Sequence, residues 1–150
     1  MEKNIDVNQI YKKHYDQIYN HVKNDPYAQS LGIELTKFEP GFAEATLEVQ
    51  NHMVNAHGTV HGAVIYALAD HAFSVACNAY GKTSFGLSTT IQFIESAKVG
   101  DKLLARASEV KRNYRTGFYR IDIFHEQKQI ATMDGVAYLK DRYFIDLNEE

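Results

Sequence analysis

Hydrophobic and polar positions follow one another along this chain in more than one rhythm. From about Asp6 to Asn24, Val7, Tyr11, Ile18 and Val22 recur on one face, with His14 or Tyr15 between them and lysines and acids elsewhere. That spacing predicts an N-terminal helix, which Asn24-Asp25-Pro26 brings to an end. Gly32 to Phe38 and Phe42 to Gln50 read as two strands. In the second, Ala43, Ala45, Leu47 and Val49 alternate with polar neighbours, the period of a half-buried strand. Glu39-Pro40-Gly41 turns between them, Pro fixing one turn angle and Gly supplying a positive one.

From about His61 to Tyr80 the pattern changes again. Val64, Ile65, Leu68, Phe73, Val75 and Cys77 are interspersed with alanines at 63, 67, 69, 72, 76 and 79. A surface apolar nearly all round predicts a helix enclosed by the rest of the fold. The alanines let a sheet wrap close, and Gly81 stands where such a helix stops. Four more strands follow, roughly Ser84 to Glu95, Lys102 to Lys111, Gly117 to His125 and Gln129 to Lys140. Their separators, Val99-Gly100-Asp101, Arg112 to Thr116 and Glu126 to Lys128, are short, which predicts antiparallel neighbours. No linker or repeat interrupts the order helix, two strands, buried helix, four strands. The expected architecture is a single α+β domain over 1–150, an antiparallel sheet curled around one central helix.

Composition narrows the function. At 150 residues and 45% hydrophobic, the chain is long and apolar enough for a real core. Sixteen Lys and Arg against 19 Asp and Glu leave a net charge of -3, without the basic excess of a nucleic-acid binder. The single cysteine, Cys77, allows no internal disulfide and no cysteine-rich zinc site. The N-terminus MEKNIDVNQI lacks the apolar core of a signal peptide. The longest apolar stretch, Ala63 to Ala69, is too short to span a bilayer. A soluble, cytoplasmic protein without membrane association is expected.

Asp70 is the most informative residue. It interrupts the apolar helix, where Asp is a poor helix former and an unpaired buried carboxylate costs several kcal/mol. Two readings account for it: an ion pair or exposure at the helix edge, or a general base or nucleophile facing a cleft. Upstream lies Asn55-Ala56-His57-Gly58-Thr59-Val60-His61-Gly62. Its glycines let backbone approach a ligand closely. The helix start offers free N–H groups and the positive end of a dipole to a developing oxyanion, with the Asn55 amide as a further donor.

The run NAHGTVHGAVIYALADHAFSVACNAYG resembles the signature of hotdog-fold acyl-CoA thioesterases of the PaaI-like branch: an Asn, a His-Gly-Gly six residues on, then Leu-Ala-Asp. The match extends from Tyr27-Ala28-Gln29-Ser30-Leu31-Gly32 to Tyr138, through Thr90-Ile91-Gln92-Phe93 and Val99-Gly100-Asp101. The resemblance implies a hotdog core over about 27–140, preceded by the extra helix of about 6–24 and followed by a short acidic tail. It makes Asp70 the catalytic carboxylate and Gly62 the N–H that polarises the thioester carbonyl, with Asn55 beside it. His61 sets the loop. Ser74, one helical turn after Asp70, faces the same side and holds a water or the carboxylate. Ala63 replaces the second glycine and is expected to narrow the approach to the carbonyl. The expected partner is acyl-CoA, with no cofactor beyond the coenzyme A of the substrate. The expected assembly is a homodimer with shared sites, in a dimer of dimers.

Other polar residues carry alternatives. His57 and His61 have a metal pair's spacing with Asp70 or His71, but Gly58 breaks the helix such a pair needs, so no metal is expected. Cys77 reads as a small buried hydrophobe. Lys111, Arg112, Arg115 and Thr116 form either a solvated hairpin end or a contact for coenzyme A phosphates. Phe73, Tyr66, Phe85 and Phe93 either line an acyl or aryl pocket or belong to the core. Two rival functions share the fold: a non-catalytic acyl-CoA sensor, and a hydratase or dehydratase acting at the β-carbon. The retained Asp70 and Asn55 argue against the first. The second lacks its paired acid and histidine.

Overall fold

The computed structural model describes residues 6–149; residues 1–5, where the MEKNIDVNQI reading begins, and residue 150 of the acidic tail lie outside them. Helices α1 (Val7–Lys13), α2 (Tyr15–Lys23) and α3 (Pro26–Ser30) lead into β1 (Glu34–Glu39) and β2 (Phe42–Glu48). A 3-10 turn at Asn51–Met53 precedes α4 (Gly62–Asn78). Strands β3 (Lys82–Phe93), β4 (Lys102–Arg112), β5 (Thr116–His125) and β6 (Lys128–Tyr143) complete the chain. The six strands form one antiparallel sheet in the order β1-β2-β4-β5-β6-β3. The α+β hotdog arrangement, with its long central helix and added N-terminal helical region, is present.

Small side chains on both sides bring the sheet close to α4. Ala43 pairs with Ala107 and Ala45 with Ala105 across β2 and β4. All four are fully buried, as are Ala69, Ala72 and Ala76 of the helix. Methyl against methyl brings backbones nearer than branched side chains would.

Three expectations need correction. The N-terminal helix is not continuous: His14, buried and at φ -114°, ψ 24°, separates α1 from α2. Hydrogen bonds still run through it, His14 N–H to Ile10 and Ile18 N–H to His14, so the element is kinked. Across the kink Tyr11, Tyr15 and Tyr19 converge on Phe38 of β1, with centroids 5.2–5.8 Å from its ring. The supposed connection after it contains α3, where Asp25 caps the Ala28 N–H and Pro26 stands at the first helical position.

Strands β3 and β4 are not neighbours. The chain leaves β3 at one edge and crosses to β4 inside the sheet, held midway where Val60 N–H meets the Ala97 carbonyl at 2.8 Å. The segment after β6 packs back on α2. Phe144 stacks on His21 at 4.1 Å, Ile145 is buried, and Gln17 and Asp146 exchange two hydrogen bonds.

Candidate active site

The loop before α4 is closed by its own side chains. Val54 and Val60 pair across it. The Asn55 carboxamide oxygen accepts from His57 N–H at 2.9 Å and Thr59 N–H at 3.3 Å, while its amide donates to Thr59 Oγ1 at 3.1 Å. Asn55 therefore staples the loop. His61 caps the helix: its Nδ1 accepts the Ala63 N–H at 3.0 Å. With that amide taken, the Gly62 N–H has no partner among the described residues. The Phe93 ring lies against Gly62, so that a Cβ there would come within 3.1 Å of its Cζ. Ala63 is exposed, its methyl on the open side of the helix.

Helix α4 is not enclosed all round. Ala63, Tyr66, Asp70 and Ser74 form an exposed stripe at helical spacing, while Ile65, Leu68, Ala69, Ala72, Phe73, Val75 and Ala76 are buried. Asp70 thus reaches solvent in the isolated chain. The Tyr66 hydroxyl hydrogen-bonds Thr89 Oγ1 of β3 at 2.8 Å, tying the stripe to the edge strand. Asp70 is nonetheless held above the usual carboxylate range, first because protein crowds water from its inner side and then because the Asp25 charge lies near; His71 acts the other way.

Asp25 and His71 form a pair that the sequence did not bring together. Asp25 Oδ2 stands 3.6 Å from Nδ1 of His71. His71 is 6% exposed, and that nitrogen has no hydrogen-bond partner. Burial pushes its pKa down, against the upward pull of Asp25. The Asp-Pro pair was a signal for a cap, but nothing local ties position 25 to position 71. Beside them a cavity of about 700 Å³ opens at Ser74, walled by Asn20, His21 and Asn24 on one side and Phe85, Arg142 and Phe144 on the other.

The remaining candidates divide. Phe73 is not available to a substrate: it is 1% exposed, beside Tyr119, and Gly86 and Gly135 leave room for its ring. Tyr66, Phe85 and Phe93 are exposed instead. The Arg112 guanidinium lies 3.8 Å from the Tyr80 ring centre and its Nε is buried without a partner, so packing occupies it. Lys111 and Arg115 are exposed, Arg115 over Tyr114, and the Thr116 carbonyl closes the turn on the Asn113 N–H. Cys77 is buried and its thiol is pushed up to about 12 by that burial, which leaves it inert. Among the described residues no three His, Cys, Asp or Glu side chains converge as a metal site. No described helix is long and apolar enough to cross a membrane.

The profile of the thioesterase superfamily matches residues 57–132, from the loop before α4 into β6. The acyl-coenzyme A thioesterase PaaI of Escherichia coli is 36% identical over 117 residues, 77% of this chain and 84% of that protein. A putative esterase of Archaeoglobus fulgidus is 32% identical over 117 residues, 77% of this chain and 76% of its own length. Among solved structures, the E. coli PaaI protein from the phenylacetic acid degradation operon matches with a TM-score of 0.82 at 31% identity, covering 92% of this chain and 99% of that one.

Proposed function

The chain belongs to the thioesterase superfamily, in its PaaI-like branch of hotdog-fold acyl-CoA thioesterases, and on that premise we propose that it hydrolyses a small aryl- or acyl-CoA thioester to free acid and coenzyme A. The observation that carries this reading is the stripe on α4. It runs from Ala63, beside the unclaimed N–H of Gly62, through Asp70, a carboxylate of raised basicity open to solvent.

In the proposed reaction Gly62 N–H and the positive end of α4 polarise the thioester carbonyl. Asp70 either takes a proton from the attacking water or attacks the carbonyl carbon itself, in which case the mixed anhydride left on Asp70 after the thiolate departs is hydrolysed by water to the free acid. The C–S bond breaks as the tetrahedral oxyanion collapses, and the coenzyme A thiolate takes up a proton. Ser74 holds the water or the carboxylate, and His61 keeps the helix start in register. Ala63 and the exposed Phe93 border the approach to Gly62, while Lys111, Arg115 and Thr116 lie where phosphates can be met from solvent. The scheme calls for no cofactor, and it puts the protein in the cytoplasm, where coenzyme A thioesters are made and used.

One helix does not assemble this site. Gly62 and Asp70 are eight residues apart, about 12 Å along the axis and about 80° around it. The reacting carbonyl and the attacking oxygen must each lie about 3 Å from their groups. A two-fold axis that sets Asp70 of one protomer opposite Gly62 and Asn55 of its partner meets the requirement. Strand β3 supports such a pairing: it is a long edge strand, and its exposed Phe85, Leu87 and Phe93 leave apolar surface beside the stripe. We read the assembly as a homodimer with shared sites, paired again into a dimer of dimers. Hydrolysis of phenylacetyl-, hydroxybenzoyl- and medium-chain acyl-CoA, followed by free thiol release, tests the activity. No turnover of any of them would overturn the reading.

A further inference from the structure

We infer that Phe144, on the short segment after β6, determines which acyl groups the protein takes, by closing the far end of the cavity at Ser74, where the acyl part of the thioester is received. The inference rests on the shared-site reading of Asp70.

A thioester carbonyl carbon carries two groups that leave it in different directions, the acyl group and the sulfur of coenzyme A. In the two-fold pairing, Asp70 of one protomer meets the helix start of its partner, and coenzyme A reaches the site there from solvent. On the helix that supplies Asp70, the way back along the stripe is filled. Tyr66, one turn before, is bonded to Thr89 at 2.8 Å. The way forward is open: Ser74, one turn after, lines the cavity of about 700 Å³.

Beyond Ser74 the polar groups of the lining are already engaged. The Asn78 amide donates to the Ser74 and Ser84 carbonyls, and its oxygen accepts the Ser84 N–H. The Ser84 hydroxyl donates to the Cys77 carbonyl. Asn20, Asn24 and Arg142 are exposed, where the cavity opens to solvent. Its two sides meet where Phe144 stacks on His21, with centroids 4.1 Å apart and planes 18° from parallel. An acyl group entering past Ser74 thus runs up against an aromatic stop.

That stop is fastened in three places. Phe144 N–H donates to the Gly81 carbonyl at 3.1 Å, and Ile145 is buried over the bare α-carbon of Gly81. Gln17 and Asp146 exchange their two hydrogen bonds just beyond. All of these contacts lie within one chain, so the wall stands however a partner covers the stripe. A fixed wall discriminates by size, where a loose one would yield to a longer chain.

Phe144→Ala deepens the cavity and Phe144→Trp makes it shallower. Both full-length variants and wild type are assayed on phenylacetyl-CoA and decanoyl-CoA, beside their thermal midpoints. The quantity read is the ratio of kcat/KM for the decanoyl over the phenylacetyl substrate. It is expected to rise about 10-fold or more in Phe144→Ala and to fall in Phe144→Trp, because a few methylenes in an enclosed apolar pocket carry discrimination of that order. A residue that only held the fold together would lower both substrates alike and leave the ratio unmoved. An unmoved ratio in the folded variants, or one that moves the same way in both, overturns the inference. Phe144→Leu takes the place of Phe144→Ala if the alanine chain does not fold. Non-hydrolysable thioether analogues of the two substrates give the same comparison from calorimetric Kd values. A Kd ratio that shifts in a protein without hydrolytic activity upholds the acyl cavity and overturns the enzyme reading alone.

Discussion

The ring of Phe93 rests on the bare α-carbon of Gly62, so that a methyl added there would sit 3.1 Å from its Cζ. Because Phe93 is 54% exposed, the ring can swing aside. Gly62→Ala is therefore expected to fold with a stability change under about 1 kcal/mol, since alanine also favours the helix. A displaced ring and an added methyl both crowd the free N–H, and kcat/KM should fall by about 10-fold or more. Thermal melts with steady-state kinetics check both halves. Near-native activity would remove Gly62 from the oxyanion site.

Asp70→Asn should lose roughly 100-fold or more in kcat with little change in KM, because the lost proton acceptor acts in the transition state. Stability should move the opposite way. The folded carboxyl has its pKa raised, so Asp70 favours folding at pH below the unfolded carboxylate value and loses that contribution as pH rises through the folded one. At pH 7 the Asn variant should melt at or above wild type, and the difference should close as the pH falls into the carboxylate range. A less stable variant at neutral pH would contradict the sign.

Arg112 and Arg115 should separate. Arg112→Ala removes the guanidinium from the Tyr80 face and should cost about 1 kcal/mol, a few degrees in Tm. Arg115→Ala should leave Tm alone and raise KM for full acyl-CoA, with a weaker salt dependence, but not for pantetheine thioesters. Equal KM effects on both substrates would make Arg115 structural.

Subunit complementation tests the shared site. Differently tagged Asp70→Asn and Asn55→Ala chains, co-expressed and purified as the mixed dimer, should recover toward half of wild-type activity. One site then combines an intact Asp70 with an intact loop, and the other is damaged twice. Asn55→Ala also opens its own loop, which it staples to Thr59, but this damage stays with one chain. A mixed dimer no more active than the average of its parents would place the site within one chain.

Much of the fold could be read from local pattern because it is locally encoded. The alternation Ala43 to Val49 and the run Ala63 to Ala79 each carry their own period, and the structure buries those faces. What escaped depends on partners distant in sequence. The kink at His14 goes with three tyrosines gathering on Phe38, and no signal at position 14 announces it. Phe73 and Phe93 look alike in sequence; glycines at 86 and 135 draw one into the core, while the edge position of β3 leaves the other outside. Arg112 and Arg115 read alike in sequence, but Tyr80 lies beneath only the first. Asp70 itself stood out, with exposure at the helix edge as one of its readings, but the open stripe around it did not: an apolar helix looks enclosed in sequence whether its last open stripe meets this chain or another.

The clasp between Gln17 and Asp146 joins residues 129 positions apart. During synthesis at about 5–20 residues per second, α2 emerges roughly 6–25 seconds before the segment that receives it. In that interval the nascent chain can bring β1 to β2, but β3 still waits for its neighbour β6, and Phe144 is missing from the wall of the cavity at Ser74. That side of the wall is thus built well after the side that α2 supplies. A ribosome-bound intermediate would carry the Asp70 helix in place before it has a finished chamber beside it.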